Sequence, residues 1–127
     1  MKIRTLVISM SLAVCAVPAH AQYKEMSKVE ALARNNNEQQ MLTGLSAHLG
    51  VPAETLKQEM ASNSLNFGQL YLAHVVAKAA NTDVKSILSD SKNKLWTTIV
   101  EERKVDKKQL AADVDKFEKA VKDLRAK

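Results

Sequence analysis

Residues 67–80 read Phe-Gly-Gln-Leu-Tyr-Leu-Ala-His-Val-Val-Ala-Lys-Ala-Ala and form the most apolar of the chain's helical patterns. Between Leu70 and Ala80 only His74 and Lys78 are strongly polar. A helix that is apolar on most sides is normally covered by neighbours on most sides, so we expect this segment to be the centre of the fold. The helix should carry one narrow polar strip, about 60° wide, and bury the rest of its surface. The strip is made of Phe67, Tyr71, His74 and Lys78.

Amphipathic patterns flank this segment on both sides. Apolar residues recur there at helical spacing, namely Met26, Val29 and Leu32; Met41, Leu42, Leu45 and Leu49; Leu56 and Met60; Val84, Ile87 and Leu88; and Trp96, Ile99 and Val100. Residues 61–64 are predicted to form a loop. Only three glycines and two prolines occur, which argues against β-rich, phosphate-loop and disordered classes. We predict one all-α domain over residues 22–127, a compact bundle of six or seven short helices.

One pattern occurs three times along the chain. An apolar residue is followed five positions later by a turn residue and six positions after that by another apolar residue. The three copies are Leu45, Gly50 and Leu56; Val76, Asn81 and Ile87; and Ile99, Lys104 and Leu110. Short turns between helices can produce such spacings by chance, which is the alternative. We favour degenerate helix-turn-helix hairpins, with Gly50 as a left-handed helix cap.

The first copy, residues 45–56, reads Leu-Ser-Ala-His-Leu-Gly-Val-Pro-Ala-Glu-Thr-Leu. Its small second residue, its Leu-Gly-Val turn and its Thr-Leu pair resemble the helix-turn-helix of bacterial transcription regulators. The resemblance implies base contacts from the second helix. That helix offers Lys57 and Gln58 between the acids Glu54 and Glu59, and it has no arginine to read guanine. We interpret the match as a shared turn geometry and predict no nucleic-acid binding.

The first 21 residues have the three parts of a secretory signal peptide. A basic start at residues 2–4 precedes a mostly apolar run at residues 6–17. Ala19 and Ala21 then supply small side chains at the two positions that a signal peptidase recognises. We predict cleavage after Ala21 and a periplasmic or secreted protein. No later segment is apolar for long enough to be a membrane span.

Two alternatives to this cleavage are an uncleaved anchor and a lipoprotein signal at Cys15. The apolar run is shorter than the roughly 20 residues that span a bilayer, and Val14 stands where lipoprotein signals carry a small residue. Cleavage removes the only cysteine, which excludes disulfides, thiolate metal sites and cysteine nucleophiles. It also removes Lys2 and Arg4, so that 17 basic residues remain against 14 acidic ones.

Two histidines, His48 and His74, remain after cleavage. Neither has a second ligand at a zinc-binding spacing, so we predict no metal and no cofactor. In the functional interpretation, Tyr71, His74 and Lys78 line a small polar groove. In the alternative, which we favour, they form a water-exposed strip on a mostly buried helix. His48 is interpreted as a residue that the helix dipole favours near a C-terminus.

The last helix carries an apolar stripe with heptad-like spacing, made of Leu110, Val114, Phe117, Val121 and Leu124. The stripe either packs on the protein's own core, which we favour, or pairs with a second copy or another partner, so that a homodimer is one alternative. Trp96 is likewise interpreted as a core residue first and as a binding anchor second.

The neighbouring carboxylates at residues 101–102 and at Asp113 and Asp115 are interpreted as surface charges paired with lysines at helical spacing. We assign no catalytic residue. The expected function is an exported, non-catalytic protein that binds another protein or peptide, as an accessory, stress or immunity-type factor, through the polar strip, Trp96 or the stripe. The alternative is a small enzyme or small-ligand binder with a site around Tyr71, His74 and Lys78.

Overall fold

The computed structural model describes residues 23–126, and their side chains as far as Leu124. The predicted signal peptide and its cleavage site lie outside the described residues. Within them every regular element is a helix and no strand occurs, which confirms the all-α prediction. The seven helices are α1 (Lys24–Arg34), α2 (Glu38–Leu49), α3 (Ala53–Asn63), α4 (Phe67–Ala79), α5 (Val84–Ser91), α6 (Trp96–Glu102) and α7 (Lys107–Ala126). None of these helices is long and apolar enough to cross a membrane.

Helix α4 lies at the centre of the bundle, as its apolar sequence predicts. It packs against α1, α2, α3 and α5, while α7 closes the bundle against α1 and α2. Its side chains at Leu70, Leu72 and Val76 are fully buried. Asn66 begins the helix with a capping box, in which its side chain accepts from the Gln69 backbone and the Gln69 side chain accepts from the Asn66 backbone. The cap satisfies two backbone donors that a helix start otherwise leaves unpaired.

Close packing between α1 and α4 depends on Gly68. A Cβ atom at this position would lie 2.7 Å from the backbone oxygen of Met26 and 2.9 Å from Oε2 of Glu30. The backbone oxygen belongs to a helix and cannot move independently, so a larger residue would push the two helices apart. The absence of a side chain therefore sets the distance between the first helix and the central one.

The three turn residues of the repeated pattern share one backbone conformation. Gly50, Asn81 and Lys104 have φ angles of 72°, 58° and 57°, all in the left-handed region. The next residue donates its N–H to a carbonyl five positions back at the second and third turns, from Thr82 to Ala77 at 2.9 Å and from Val105 to Val100 at 3.0 Å. This is the bond of a Schellman cap. The shared turn geometry is a feature of the structure, while descent from one duplicated hairpin stays a prediction.

The predicted loop at residues 61–64 is wrong in extent, because α3 continues through Asn63. The Asn63 side chain donates to the Glu59 carbonyl at 3.0 Å, and the helix ends at Ser64, which has a φ angle of 54°. The Leu65 N–H then donates to the Met60 carbonyl at 3.0 Å. Local bonds of this kind let poor helix formers occupy a last helical turn.

Four of the five stripe residues of α7 are buried in the chain's own core, and the fifth, Leu124, is half-buried. Leu110, Val114, Phe117 and Val121 are each at most 1% exposed, because α7 packs on α2 and α1. Trp96 is 2% exposed and belongs to the same core. These candidate interaction residues therefore lie inside the folded chain, which is the arrangement that packing on the protein's own core predicts.

Candidate functional site

A polar cluster joins three helices around Asp113 of α7. The Tyr71 hydroxyl, on α4, donates a hydrogen bond to Asp113 Oδ2. The His48 Nε2, on α2, lies 2.8 Å from the same oxygen and donates to it. The interpretation of Asp113 as a surface charge paired with a lysine is wrong, since its partners are a buried tyrosine and a histidine whose side chain is 14% exposed.

The rings of this cluster pack against one another, Tyr71 stacked on Phe117 and His48 tilted against it. The ring centroids of Tyr71 and Phe117 are 5.3 Å apart, and those of His48 and Phe117 are 5.4 Å apart. Phe117 lies four residues after Asp113, so one helix face supplies both the carboxylate and the ring below it. Ring packing and the hydrogen bonds together hold Asp113 in one orientation.

Tyr71 acts as a hydrogen-bond donor in this cluster. Burial raises the pKa of its hydroxyl well above the usual value, and the hydrogen bond to Asp113 and the charge of that carboxylate raise it further. A phenol that keeps its proton cannot serve as a base near neutral pH. Its role in the site is to orient Asp113.

Asp113 lies in the wall of a solvent-connected cavity of about 180 Å³ between α2, α4 and α7, which we call the Asp113 cavity. It is lined by His48, Leu49, Val75, Lys78, Ala79, Val105, Gln109, Leu110 and Asp113. Five of these side chains are aliphatic, and the other four are polar or charged, namely His48, Lys78, Gln109 and Asp113. The cavity is thus an apolar recess with one fixed negative charge.

The polar strip predicted on α4 is divided between different environments. Tyr71 is fully buried and His74 is 8% exposed, so the prediction of a water-exposed strip is wrong at both positions. His74 Nε2 lies 2.6 Å from Glu59 Oε1 and ties α4 to α3. Of the three residues assigned to a groove, only Lys78 lines the Asp113 cavity, and Tyr71 reaches it through Asp113.

A second recess lies beside Trp96, and we call it the Leu95 groove. Its volume is about 560 Å³, and it is lined by Tyr23, Lys24, Glu25, Leu95, Trp96, Thr97, Lys107 and Ala111. Leu95 is 43% exposed, the largest exposure of any large apolar side chain among the described residues. The groove carries both signs of charge and no fixed polar cluster, so it has fewer features of a binding site than the Asp113 cavity.

The described residues contain no group of three or more histidine, cysteine, aspartate or glutamate side chains arranged to hold a metal ion. Comparison with protein-family models, with curated proteins and with solved structures found no match. The interpretation of the site therefore depends on its geometry.

Sequence reasoning missed Asp113 and assigned His48 only to a helix end. Both residues follow a buried leucine by three positions, Asp113 after Leu110 and His48 after Leu45. Residues three apart share a helix face, so both lie at the edge of a buried stripe. That position was a usable signal that the two side chains point toward the core and not away from it.

Proposed function

We propose that this protein is an exported, non-catalytic binding protein that holds one apolar group of a partner protein or peptide in the Asp113 cavity. The observation that supports this function is an aliphatic recess in which Asp113 is fixed by two donors, Tyr71 and His48. Apolar walls supply affinity and a few placed polar groups supply orientation, as is typical of binding pockets.

The chemistry of the cavity favours binding over catalysis. Its lining residues include no serine, threonine or cysteine that His48 could activate. Asp113 and His48 correspond to the aspartate and the histidine of a catalytic triad, but no nucleophile lines the cavity beside them. Tyr71 keeps its proton because burial raises its pKa. The three groups stabilise one another and present a carboxylate to whatever enters.

The size of the cavity favours a partner larger than the cavity itself. Pockets for drug-sized ligands have volumes of roughly 300–1,000 Å³, whereas the Asp113 cavity measures about 180 Å³. One side chain or one chain end would fill it. Exposed residues at its rim, Lys78, Ala79 and Gln109, would then meet the rest of the partner.

A blocking substitution tests this function. Ala79 is exposed and lines the cavity, so Ala79→Phe should fill the mouth without disturbing the core. Ala61→Phe places the same side chain on an exposed position of α3 away from the cavity and serves as the matched control. A partner captured from a periplasmic extract should bind the wild-type protein and Ala61→Phe and should be lost with Ala79→Phe. Equal capture by all three would contradict the proposal.

The second candidate is a small enzyme or small-ligand binder with a site around Tyr71, His74 and Lys78. It is favoured by Lys78 at the cavity rim and by Tyr71 behind Asp113. A low-molecular-mass ligand that raises the melting temperature of the wild type and leaves that of Ala79→Phe unchanged would favour this candidate. If the ligand also raises the melting temperature of a His74→Gln variant, His74 is not part of the ligand site.

The intact mass of the protein tests the proposed export. We expect the protein recovered from the periplasm to begin at Gln22, because Ala19 and Ala21 match the peptidase specificity. A mass that includes residues 1–21, or a lipid on Cys15, would contradict cleavage at this position.

A further inference from the structure

Asp113 has one carboxylate oxygen that the fold leaves without a hydrogen bond. Tyr71 and His48 both donate to Oδ2, and no side chain or backbone group of residues 23–124 donates to Oδ1. The Asp113 side chain is 34% exposed and lines the cavity. Water reaches this part-exposed carboxylate, so a ligand that displaces the water has to replace its hydrogen bond with a donor of its own.

The fixed charge of the cavity is negative. Asp113 is held by two donors and stacked rings, whereas Lys78 is exposed at the rim. A lysine at such a position lays its aliphatic stem along an apolar surface and keeps its ammonium in water. Among the described residues Asp113 pairs through Oδ2 with His48 and not with Lys78, so the Lys78 ammonium does not occupy the carboxylate. An anionic group that entered the cavity would be repelled by this fixed carboxylate.

We propose that the Asp113 cavity recognises a primary ammonium group carried on an aliphatic stem. The ammonium would donate to Asp113 Oδ1, and the stem would lie against Leu49, Val75 and Leu110. A lysine side chain and the N-terminus of a chain with an aliphatic first residue both have this chemistry. The inference rests on the proposed function, because it adds a charged end to the apolar group that the partner inserts.

Titration calorimetry with small probes tests which head-group charge the cavity prefers. n-Butylamine, n-butanol and butyrate share a stem and differ in the head group. We expect butylamine to bind the wild-type protein about tenfold or more tightly than butanol, since both head groups can donate to the carboxylate but only the ammonium adds the attraction of opposite charges. Butyrate should bind more weakly than either. This comparison uses the wild-type protein alone, so it does not depend on the folding of any variant.

Three variants localise the effect. Asp113→Asn should remove the preference of the cavity for butylamine over butanol. Lys78→Gln should raise the affinity for butylamine a few-fold, because it removes a like charge from the rim. Asp115→Asn is the matched control, since Asp115 is exposed and pairs with Lys28 at 3.0 Å, and it should leave the affinity unchanged.

Two further probes distinguish the sources of the ammonium. Nα-acetyl-lysine amide offers only a side-chain ammonium, and leucine amide offers only an N-terminal one. Tighter binding of the first assigns the cavity to lysine side chains, and tighter binding of the second assigns it to chain ends.

Equal binding of butylamine and butanol, tighter binding of butyrate, or no binding of any probe would overturn the ammonium inference. The proposed function would survive each of these results if Ala79→Phe still loses the partner, and it would fail if Ala79→Phe retains the partner.

Discussion

Tyr71 and Tyr23 are the two tyrosines of the chain, and burial raises the pKa of both hydroxyls. The pKa of Tyr23 rises from 10.0 to about 12, with further contributions from Glu25 and Glu101. The pKa of Tyr71 rises further, because Asp113 accepts its proton in a hydrogen bond. The unfolded chain therefore loses these protons at a lower pH than the folded one does.

The free energy of unfolding should consequently fall as the pH rises above 10.0, the usual tyrosine value. The contribution of each tyrosine is fully present below that pH and is lost as the pH passes through its folded pKa. Near-ultraviolet absorbance of tyrosinate, measured in buffer and in denaturant, checks this. Titration of both hydroxyls near pH 10 in the folded protein would contradict it.

Tyr71→Phe should cost about 1–2 kcal/mol of unfolding free energy, because Asp113 Oδ2 loses one of its two donors. Tyr23→Phe is the control, since the Tyr23 hydroxyl forms no hydrogen bond within residues 23–124, and it should cost much less. Denaturant melts of the two variants give the comparison. Equal losses would mean that the hydrogen bond to Asp113 contributes nothing to stability.

For single residues, the sequence predicted which side chains are buried better than it predicted which side chains form hydrogen bonds or ion pairs with each other. His48 and Asp113 are separated by 65 positions, and Tyr71 and Asp113 by 42. Helical spacing reports only neighbours within a few residues, so it suggested that Asp115 pairs with a lysine of its own helix. The structure instead pairs Asp115 with Lys28 of α1.

Helix ends were the most predictable elements of the fold. The repeated spacing marked Gly50, Asn81 and Lys104 as turn residues, and all three have the left-handed conformation that was predicted for Gly50 alone. Ser64 ends α3 in the same way without belonging to the pattern. Its position could not be predicted because serine has no preference for this conformation, whereas glycine and asparagine do.

Exchanging residues at two of these turns should change stability in opposite directions. Gly50→Ala should cost about 1 kcal/mol through backbone strain, since the added Cβ would have no atom within 4 Å to contact or clash with. Lys104→Gly should gain about 0.5 kcal/mol, because relief of strain exceeds the added entropy of the unfolded chain. Thermal melts measure both. If Gly50→Ala instead stabilises the protein, the interpretation of Gly50 as a left-handed helix cap is wrong.

The whole molecule is held together by α7, which covers α1 and α2 and supplies Asp113 to the cavity. The sequence predicted that its stripe is buried in the chain's own core. It could not show which helices the stripe meets, because an apolar stripe fits any apolar partner. The Asp113 cavity is a product of that docking, so it could not be foreseen from any one helix.

Phe117→Ala should cost about 3 kcal/mol or more, since Phe117 is fully buried and its loss leaves a void. Circular dichroism melts and light scattering on the same variant check this. An unchanged melting temperature together with lost self-association would instead assign the stripe to a dimer interface. An unchanged melting temperature and oligomeric state would contradict burial in the chain's own core.

Binding of a partner in the Asp113 cavity can be followed residue by residue with amide chemical-shift mapping. When the captured partner is titrated into the ¹⁵N-labelled protein, the largest shifts should cluster around Lys78, Gln109 and Asp113. The Ala79→Phe variant should show none of them. Shifts that cluster instead around Leu95 and Trp96 would contradict the account and place the interaction in the Leu95 groove.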